Sequence, residues 1–308
     1  MSYLYNSIYI NKCQKARRSI YMKDFLIFAD GSADLDLEFI KKYNINFIPM
    51  QYTLGEENGF VSGTNTDEEM VSFYDALAQG KFSKTSQITP FQYEEFFSPY
   101  LEGGNSILLI SLSSGLSGTY ESACVAAKSL KEKYPTVDLI PVDSLNATGA
   151  EGILLHKACQ YKSEGLDILQ VQEKLNELVK KLHTIAYVES LTHLKRGGRI
   201  SSTSAIIGSM LNIKPMIKVL PNGKLENYDK KMGSKRAMIH MADVYKELAD
   251  MNEPIVYITE CNNKEFAESL AAKFKSINPN VDVKIKKMSI IIGTHTGPGS
   301  IGLSFIKK

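Results

Sequence analysis

The sequence predicts a two-domain α/β protein, with a parallel-sheet α/β domain at the N-terminus and an α+β domain at the C-terminus. Near-continuous apolar runs such as "FLIFAD" and "SILLISL" are each followed by a helical pattern, which is typical of parallel strands covered by helices on both faces. Beyond residue 182 the pattern changes and includes the turn "LPNGKL", whose central Asn-Gly favours an antiparallel hairpin. The two halves are therefore expected to contain different kinds of sheet.

Three strands of the N-terminal half end in polar residues. "FLIFAD" ends at Asp30, "SILLISL" leads into Ser113, and "VDLIPVD" ends at Asp143. Ligands of open parallel sheets bind beyond the carboxyl ends of the strands, so we expect these residues at a binding edge. Apolar spacing predicts helices in the segments "DEEMVSFYDALAQG", "PFQYEEFFSPYLEGG" and "SGTYESACVAAKSLKEKYP".

The alternation of strand and helix is interrupted twice, and the second interruption marks a domain boundary. Turn residues in "MQYTLGEENGFVSGTN" predict a hairpin excursion over about 51–66. A long helical pattern covers about 166–182, and the segments after it, from "TIAYVES" to "VDVKIKKMSI", are strand-like. We place the N-terminal domain at residues 23–182 and the C-terminal domain, with an antiparallel or mixed sheet, at 183–308.

Residues 1–22 lie outside both domains. The first 23 residues hold five basic side chains and no acid, and they lack the apolar stretch and the small-residue cleavage site of a secretory signal. We interpret residues 1–22 as a disordered extension, or as the product of a start assigned upstream of Met22.

The composition argues against several classes of function. With 308 residues, 44% hydrophobic and 23% charged, the chain has the make-up of a soluble globular protein, and no apolar run approaches the ~20 residues of a membrane span. Beyond the first 23 residues, 31 basic residues face 34 acidic ones, which gives no electrostatic case for nucleic acid. The four cysteines lack metal-ligand spacing, so we expect reduced thiols in a cytoplasmic protein, and no metal.

The turn "SSGLSGTYESA" at residues 113–123 is the first candidate site. It joins a strand to the start of a helix, where unpaired N–H groups and the helix dipole favour a small anion. An equally good interpretation is a capped helix with Ser117 or Thr119 at the N-cap. The spacing departs from the G-x-S-x-G nucleophile elbow, and no Gly-Lys-Ser/Thr of a phosphate loop follows. Hydrolase and nucleotide-binding interpretations are therefore weak.

The segment "KTSQITP" at residues 84–90 is the second candidate. In the ordinary interpretation Pro90 simply occupies the first turn of a helix. In the functional interpretation the hydroxyls of Thr85 and Ser86 line the same crevice as the serine turn. The residues alone leave both open.

Two glycine-rich segments follow in the C-terminal half. "LKRGGRISS" at residues 194–202 is able to form an anion nest, but we favour a solvated turn or a partner surface. "GTHTGPGS" at residues 293–300 predicts a tight irregular loop with His295 in its middle. A lone histidine is more often structural than catalytic, yet in such a loop its imidazole is able to donate to an anion.

Taken together, these segments resemble the DegV family of bacterial fatty-acid-binding proteins. Any one of them is weak evidence, but their common order over residues 23–308 is highly specific. The matching segments are "DGSADL" (30–35), "TSQITP" (85–90), "SSGLSGTYESA" (113–123), "VDSLNATGAEG" (142–152), "LKRGGRIS" (194–201), "LNIKPMI" (211–217) and "GTHTGPGSIG" (293–302).

The resemblance implies one long-chain fatty acid in a tunnel between the two domains. It implies a binding protein, with no catalytic residue and no cofactor of its own. The implied carboxylate contacts are Thr85, Ser117 and His295, with Ser86, Ser114 and the Gly118 backbone as neighbours, and the segment implied near the tunnel is Ile213, Lys214 and Pro215.

The same resemblance implies a partner enzyme. Several family members are binding subunits of a bacterial fatty acid kinase: they present the acyl chain to an ATP-dependent subunit, which forms the acyl phosphate used in phospholipid synthesis. Many members carry an arginine after the hairpin, in a K-x-R-x-x-K-A pattern that faces this subunit, whereas Gly233 stands at that position here. The basic residues expected to face the partner are Arg199, Lys231, Lys235 and Arg236.

The relative binding free energies of an acyl tail and a carboxylate head are consistent with a carrier protein. Burial of ~14 methylenes contributes about 11 kcal/mol at ~0.8 kcal/mol each, whereas a hydrogen bond to a charged group contributes ~1.5–3 kcal/mol. The tail therefore supplies affinity and the hydroxyls fix the position of the head, which makes Ser117 an anion clamp. The enzyme alternative is a serine-dependent esterase or acyltransferase that uses Ser117 and His295.

Overall fold

The computed structural model describes residues 24–200 and 212–308. The interpretation of residues 1–22 as a disordered extension lies outside the described residues. The strands are β1 (Phe25–Asp30), β2 (Asn46–Ile48), β3 (Met50–Leu54), β4 (Glu57–Val61), β5 (Ser83–Thr85), β6 (Ser106–Ser111), β7 (Leu139–Asp143), β8 (Leu182–Tyr187), β9 (Ile213–Val219), β10 (Leu225–Met232), β11 (Ile255–Glu260), β12 (Asp282–Lys287) and β13 (Ile301–Ile306). The helices are α1 (Leu37–Tyr43), α2 (Asp67–Ala78), α3 (Pro90–Glu102), α4 (Thr119–Lys133), α5 (Gly149–Ser163), α6 (Ile168–Val179), α7 (Thr192–Arg196), α8 (Ser234–Leu248), α9 (Lys264–Ile277) and α10 (Ile290–Thr296).

The N-terminal half contains the predicted parallel sheet. Its strands lie in the order β2-β1-β6-β7, and every pair is parallel. All of β6 is buried, because helices cover both faces of the sheet, and this explains its continuous apolar run. Ala29 pairs with Ile110, and Ser111 pairs with Asp143. The strands β1, β6 and β7 therefore end at one edge, where the polar residues after them meet.

The C-terminal half contains the predicted mixed sheet. Its strands lie in the order β10-β9-β8-β13-β11-β12. The β11–β12 pair is parallel, and the other pairs are antiparallel. Asn222 and Gly223 form the predicted hairpin turn between β9 and β10, with Gly223 in the left-handed region at φ 74°, which glycine adopts without steric cost. Helices α8 and α9 pack on this sheet.

Helix α5 lies between the two sheets and joins their cores. Residues 149–155 are all buried, and a helix buried on every side is enclosed by other elements. The parallel sheet contacts α5 through β1 and β6, and the mixed sheet contacts it through β8, β11 and β13. Gly149 and Gly152 permit this packing, because a Cβ at either position would overlap the side chain of Tyr257.

A third, smaller sheet carries one of the candidate site residues. Strands β3 and β4 form an antiparallel hairpin, and β5 pairs with the other edge of β3. Tyr52 pairs with Thr85, so the register of this sheet fixes where Thr85 lies. Helix α3 then begins as predicted: Pro90 stands in its first turn, and the side chains of Thr89 and Gln92 each accept the other's backbone N–H at 3.3 and 2.8 Å.

Helix α10 belongs to the C-terminal part of the sequence but packs against the N-terminal half. Ile290 and Ile291 belong to the same core as Phe28 on β1. The prediction of an irregular loop over residues 293–300 is wrong for its first part, because His295 lies in the last turn of this helix. Gly293 is required for packing and not for a turn: a Cβ there would overlap the ring of Tyr74.

None of the described helices combines the length and the apolar character that crossing a bilayer requires. Among the described residues, Cys124, Cys159 and Cys261 are free thiols. Burial raises the pKa of Cys159 and of Cys261 to about 12 each, so both stay protonated at neutral pH.

Candidate functional site

The serine turn is held in place by the β9–β10 hairpin. Ser113 is fully buried, and its hydroxyl donates to the Gly223 carbonyl at 2.9 Å. Gly115 lies against the same hairpin, since a Cβ there would be 2.5 Å from the Gly223 carbonyl carbon. The turn and the hairpin come from different sheets, so this contact sets the distance between the two halves at the site.

Ser117 lies just before α4, one residue ahead of the observed N-cap, Gly118. Its hydroxyl accepts the Thr119 N–H at 3.3 Å and shares a 2.8 Å hydrogen bond with the Thr119 hydroxyl. The interpretation of Ser117 or Thr119 as the N-cap residue is therefore wrong by one position. Gly118 makes room for Gln87, because a Cβ there would lie 2.5 Å from the glutamine side-chain oxygen.

Thr85 and His295 form a direct pair. The Thr85 hydroxyl lies 2.8 Å from His295 Nε2, and next to it the hydroxyls of Ser83 and Thr294 share a 2.9 Å hydrogen bond. These two contacts join the end of β5 to α10. Burial, then the nearby positive charge of Arg199, lowers the pKa of His295 to about 4, so the imidazole is neutral at physiological pH. Its Nδ1 is buried and has no partner among the described residues.

A small cavity lies between these groups, with walls from both halves of the chain. Its volume is about 50 Å³, which is enough for a few water molecules. Its polar lining residues are Thr85, Ser86, Gln87, Ser117, Arg199, His295 and Thr296, and its apolar lining includes Met50, Leu112, Leu116, Leu194, Leu225 and Ile291.

Arg199 closes one side of the cavity. Its Nε donates to the Leu116 carbonyl at 3.0 Å, and its Nη1 donates to the Gly197 carbonyl. Burial lowers its pKa from the ordinary value, and an arginine keeps its positive charge under such a shift. We expected Arg199 to face a partner; the structure places it in the cavity wall, the one described lining residue there that is a fixed cation.

A second hollow of about 230 Å³ lies on the other side of the Thr85–His295 pair. Thr85, His295 and Arg199 line both spaces, so these side chains separate the inner cavity from the outer hollow. The outer hollow also contains the guanidinium of Arg196, which stacks 5.1 Å from the Phe82 ring centroid.

A larger cleft elsewhere has different chemistry. It has a volume of about 620 Å³ and lies between α1, the start of α2 and β12. Its walls carry charges of both signs. Three of its four lysines form ion pairs: Lys284 with Asp282 at 3.0 Å, Lys286 with Asp36 at 3.0 Å and Lys287 with Glu260 at 3.1 Å. Such ion-paired walls suit a solvated groove better than an apolar ligand. We therefore take the smaller cavity as the candidate site.

Comparison with known proteins supports the sequence resemblance. The model of the DegV family, described as uncharacterised proteins, matches residues 24–308. A DegV domain-containing protein of Clostridium perfringens is 37% identical over 286 residues, which are 92% of this chain and 98% of that protein. The chain belongs to the DegV family.

Solved DegV structures share the fold. A DegV lipid-binding protein of Thermotoga maritima is 28% identical, with a TM-score of 0.78 over 92% of this chain and 99% of that one. DegV of Bacillus subtilis, described as a fatty acid binding protein, is 26% identical, with a TM-score of 0.80 over 92% and 99% of the two chains. The α/β architecture with separate parallel and mixed sheets is thus confirmed as a DegV architecture.

The structure brings together most of the carboxylate contacts that the DegV resemblance implies. Thr85, Ser86, Ser117 and His295 line one cavity, and Gly118 packs behind it. Ser114 does not line it within the described part of the chain. Its backbone N–H donates to Asp143 at 3.1 Å instead, because the turn is tied to β7 at this point.

The segment expected near the tunnel lies deeper in the mixed sheet. Ile213, Lys214 and Pro215 are buried residues of β9, and none of them is among the described residues that line the cavity. The Lys214 ammonium pairs with Glu189, and the Pro215 carbonyl accepts the Val188 N–H at 3.2 Å. All three residues pair with β10, and Lys214 and Pro215 also contact the loop that follows β8.

The remaining basic residues expected to face a partner lie on β10 and at the start of α8. Lys235 and Arg236 are exposed, and Lys231 on β10 forms an ion pair with Asp229 at 2.7 Å. Gly233 has φ 79° and ψ 157°, a conformation that is essentially restricted to glycine. The backbone therefore requires glycine at the position where the resemblance implies an arginine.

Sequence reasoning missed several lining residues, among them Gln87 and Leu116. Both stand inside the quoted motifs but were not named as contacts, although every residue of a tight turn beside a candidate site is a candidate lining residue. Arg199 was assigned to a partner surface because of its basic neighbours. The glycines that precede it were the available signal, because a Cβ at Gly197 would overlap the His295 ring.

The geometry also bears on the enzyme alternative. A serine nucleophile requires a base within hydrogen-bond reach, and that base requires an orienting partner. Ser117 bonds to Thr119, and His295 bonds to Thr85. Because His295 Nδ1 has no acceptor among the described residues, the geometry does not form a nucleophile–base–acid relay there.

Proposed function

We propose that this chain binds one long-chain fatty acid between its two halves and is a carrier without catalysis or a cofactor of its own. The observation that supports this most strongly is that Thr85, Ser117 and His295, separated by up to 210 positions in the sequence, line a single cavity whose other walls are largely apolar. The relatives from Thermotoga and Bacillus, described as lipid-binding and fatty-acid-binding, support the same ligand class.

The head of the fatty acid is held by neutral donors and one cation. A neutral His295 that donates its Nε2–H to Thr85 leaves the threonine hydroxyl proton for the carboxylate. Ser117 supplies a second hydroxyl, and Arg199 supplies the countercharge. Charge-assisted hydrogen bonds of this kind contribute ~1.5–3 kcal/mol each, so the head determines position more than affinity.

The tail requires side chains to move. A ligand pocket usually encloses ~300–1,000 Å³, whereas this cavity encloses about 50 Å³. The walls that separate for an acyl chain are the apolar residues from different elements, such as Leu116 from the serine turn, Leu225 from the hairpin and Ile291 from α10. Because these elements meet at the boundary between the halves, a small separation there opens space without unfolding either sheet.

We propose further that the carrier works in the cytoplasm and presents the carboxylate to an ATP-dependent kinase subunit, which forms an acyl phosphate. The outer hollow beside Thr85, His295 and Arg199 supports this, since it gives an access route to the head group. The exposed Lys235 and Arg236 at the start of α8 are the nearest substitutes for the basic position taken by Gly233.

Lipid analysis of the purified protein tests the carrier proposal. Protein expressed in bacteria is extracted with solvent, and its fatty acids are quantified by gas chromatography. We expect about one long-chain acid per chain, and markedly less in the double variant Thr85→Val/Ser117→Ala. Thr136→Val, at an exposed position, is the matched control. Wild-type protein without acyl chain would contradict the proposal.

A fluorophosphonate probe separates the carrier from the esterase. The carrier predicts no covalent labelling of wild-type protein that retains its fatty acid. Labelling that disappears in Ser117→Ala would establish the enzyme alternative instead.

Charge reversal tests the kinase partnership. We expect Lys235→Glu/Arg236→Glu to lower acyl-phosphate formation with the kinase subunit while the amount of bound fatty acid is unchanged. Lys246→Glu reverses an exposed charge at the other end of α8 and serves as the control. Equal rates for both proteins would rule out this surface.

A further inference from the structure

A second polar cluster, the carboxyl cluster of Asp30, Ser32 and Glu151, lies beneath the serine turn. All three residues are fully buried. The Ser32 hydroxyl oxygen lies 2.5 Å from Asp30 Oδ1 and 2.8 Å from Glu151 Oε1. A single hydroxyl thus joins two carboxyl groups that are 121 positions apart in the sequence.

Counting hydrogens shows that this cluster holds an extra proton. A serine hydroxyl has one hydrogen and donates one hydrogen bond. If both carboxyl groups were ionised, both would require that one hydrogen. One carboxylate oxygen would then lie against the lone pairs of the serine oxygen, with no proton between the two oxygens. Since both distances are those of hydrogen bonds, one of the two carboxyl groups must supply the second proton.

The hydrogen bonds around the cluster identify which carboxyl is protonated. Asp30 accepts from the Ser32 N–H at 3.0 Å, the Leu112 N–H at 2.8 Å and the Ser111 hydroxyl at 3.1 Å, in addition to the Ser32 hydroxyl. Glu151 Oε2 has no partner among the described residues. Donors stabilise the charged form of a carboxyl group, so Asp30 is the ion and Glu151 is the acid.

We propose that Glu151 is a neutral carboxylic acid at physiological pH, that it donates to Ser32, and that Ser32 donates to the Asp30 carboxylate. These two consecutive hydrogen bonds make Glu151 and Ser32 positioning residues. Through Asp30 they fix the Leu112 N–H and the Ser111 hydroxyl, the last groups before the serine turn, and Leu112 itself lines the cavity. The protonation of Glu151 does not depend on whether the protein binds a ligand. The importance of this cluster for carboxylate binding rests on the proposed function.

The surroundings of the cluster agree with a neutral acid. Burial raises the pKa of both carboxyls, and the Asp30 charge raises that of Glu151 further. Among the described residues, four hydrogen bonds lower the pKa of Asp30, whereas only those from Ser32 and the Thr148 backbone lower that of Glu151. The titratable groups facing Glu151 are Asp30 at the end of β1, Asp34 from the segment after it and Tyr93 from α3. Burial raises the pKa of Asp34, and the positive charge of Lys286 opposes this in part. Within the described residues, no group of acidic side chains has the arrangement of a metal site.

The pH dependence of stability tests the assignment. Glutamate in an unfolded chain has a pKa of about 4.3, so unfolding at higher pH releases the Glu151 proton and becomes easier as pH rises. While Glu151 is protonated in the folded chain, each pH unit above ~5 should lower the folding equilibrium constant by about tenfold through this group. Glu151→Gln keeps a neutral donor to Ser32 and has no proton to release.

We therefore expect the ratio of the variant's folding constant to that of wild type to rise about tenfold per pH unit from pH ~5.5 to physiological pH, measured by urea denaturation. Glu121→Gln, the same change at an exposed position of α4, should keep a constant ratio. A constant ratio for Glu151→Gln as well would overturn the proposal.

Two further measurements keep the proposal testable if Glu151→Gln does not fold. Infrared spectra of wild type at pH 7.5 should contain a buried carboxylic-acid carbonyl band that shifts in Ser32→Ala, and its absence would contradict a neutral Glu151. Hydrogen exchange of the Leu112 amide should be faster in Ser32→Ala than in wild type, and unchanged exchange would contradict the positioning role. Neither readout involves a ligand, so a protein that carries no fatty acid would count against the proposed function alone.

Discussion

The cavity and the carboxyl cluster are two polar regions at the same edge of the parallel sheet, and they differ in packing. Each centres on a hydroxyl bonded to a titratable group: Thr85 to His295 in the cavity, and Ser32 to Glu151 in the cluster. The cavity leaves space beside its hydroxyls, whereas the members of the cluster are fully buried. A hydroxyl motif therefore indicates a ligand site only where the packing leaves room.

The two regions also titrate in opposite directions for one physical reason. Burial disfavours charge, so it lowers the pKa of His295 to about 4 and raises that of Glu151 well above its ordinary value. The cavity thereby keeps a neutral base, and the cluster keeps a neutral acid. Low pH should therefore destabilise the cavity, where His295 becomes protonated. High pH should destabilise the cluster, where Glu151 loses its proton.

The largest expected effect is in the cluster. Asp30→Ala removes the acceptor of two buried backbone N–H groups and two hydroxyls, and each buried donor left unpaired costs ~1–3 kcal/mol. We expect the free energy of unfolding to fall by ~3–5 kcal/mol in urea denaturation at pH 7. Asp24→Ala, which removes an exposed partner of Lys162, should change it by less than ~1 kcal/mol. Comparable losses for both would mean that the cluster is not a structural centre.

The second-largest expected loss of stability comes from disturbing the contact between the serine turn and the β9–β10 hairpin. Gly115→Ala places a Cβ against the Gly223 backbone, and overpacking of this kind costs ~1–3 kcal/mol. Because the contact sets the cavity walls, bound fatty acid should decrease as well. Gly103→Ala, at a helix end with φ −69°, should leave both properties nearly unchanged. Full lipid content in Gly115→Ala would show that this spacing does not govern the cavity.

Removal of a single hydroxyl in the cavity should have an intermediate effect. Thr85→Val deletes the group that bridges His295 and the proposed carboxylate, and we expect affinity for a long-chain fatty acid to fall by ~10- to 150-fold, equivalent to ~1.5–3 kcal/mol. Displacement of a fluorescent fatty acid measures this, with Thr136→Val as the control. Unchanged affinity would place the head group elsewhere.

The smallest effect is the pH dependence at His295. Its pKa is about 4 in the folded chain and ~6.5 when unfolded, so its contribution to stability is fully present above pH ~6.5 and is lost as pH falls towards 4. Between pH 7.5 and 5.5, wild type should lose at most about tenfold in folding constant relative to His295→Gln. As a control, the ratio of the wild-type folding constant to that of His295→Gln should be constant above pH 7. If this ratio fell as the pH rose, the burial of His295 would not lower its pKa as assigned.

Much of the architecture was accessible from local patterns. The runs "FLIFAD" and "SILLISL" became buried parallel strands because continuous apolar residues require cover on both faces. Asn222–Gly223 formed the hairpin turn because glycine adopts the left-handed region at low cost. Thr89 and Pro90 began α3 through the capping geometry that their spacing indicates.

What the local patterns did not reveal depends on contacts between distant residues. Gly293 suggested a loop, but it lies in a helix because Tyr74, more than 200 positions earlier, packs against it. Nothing near Glu151 indicates a neutral acid, since its neighbours Asp30 and Ser32 come from another strand end. Arg199 appeared to be a surface residue until its bond to Leu116 placed it beside the cavity.

Native mass spectrometry of the wild-type protein and of Thr85→Val/Ser117→Ala decides whether the chain holds a fatty acid without a covalent bond. We expect one non-covalent adduct with the mass of a long-chain fatty acid on the wild-type chain, released on collisional activation and strongly reduced in the variant. A wild-type chain that carries no adduct, or one whose acyl mass survives denaturation as a covalent modification, would contradict this expectation.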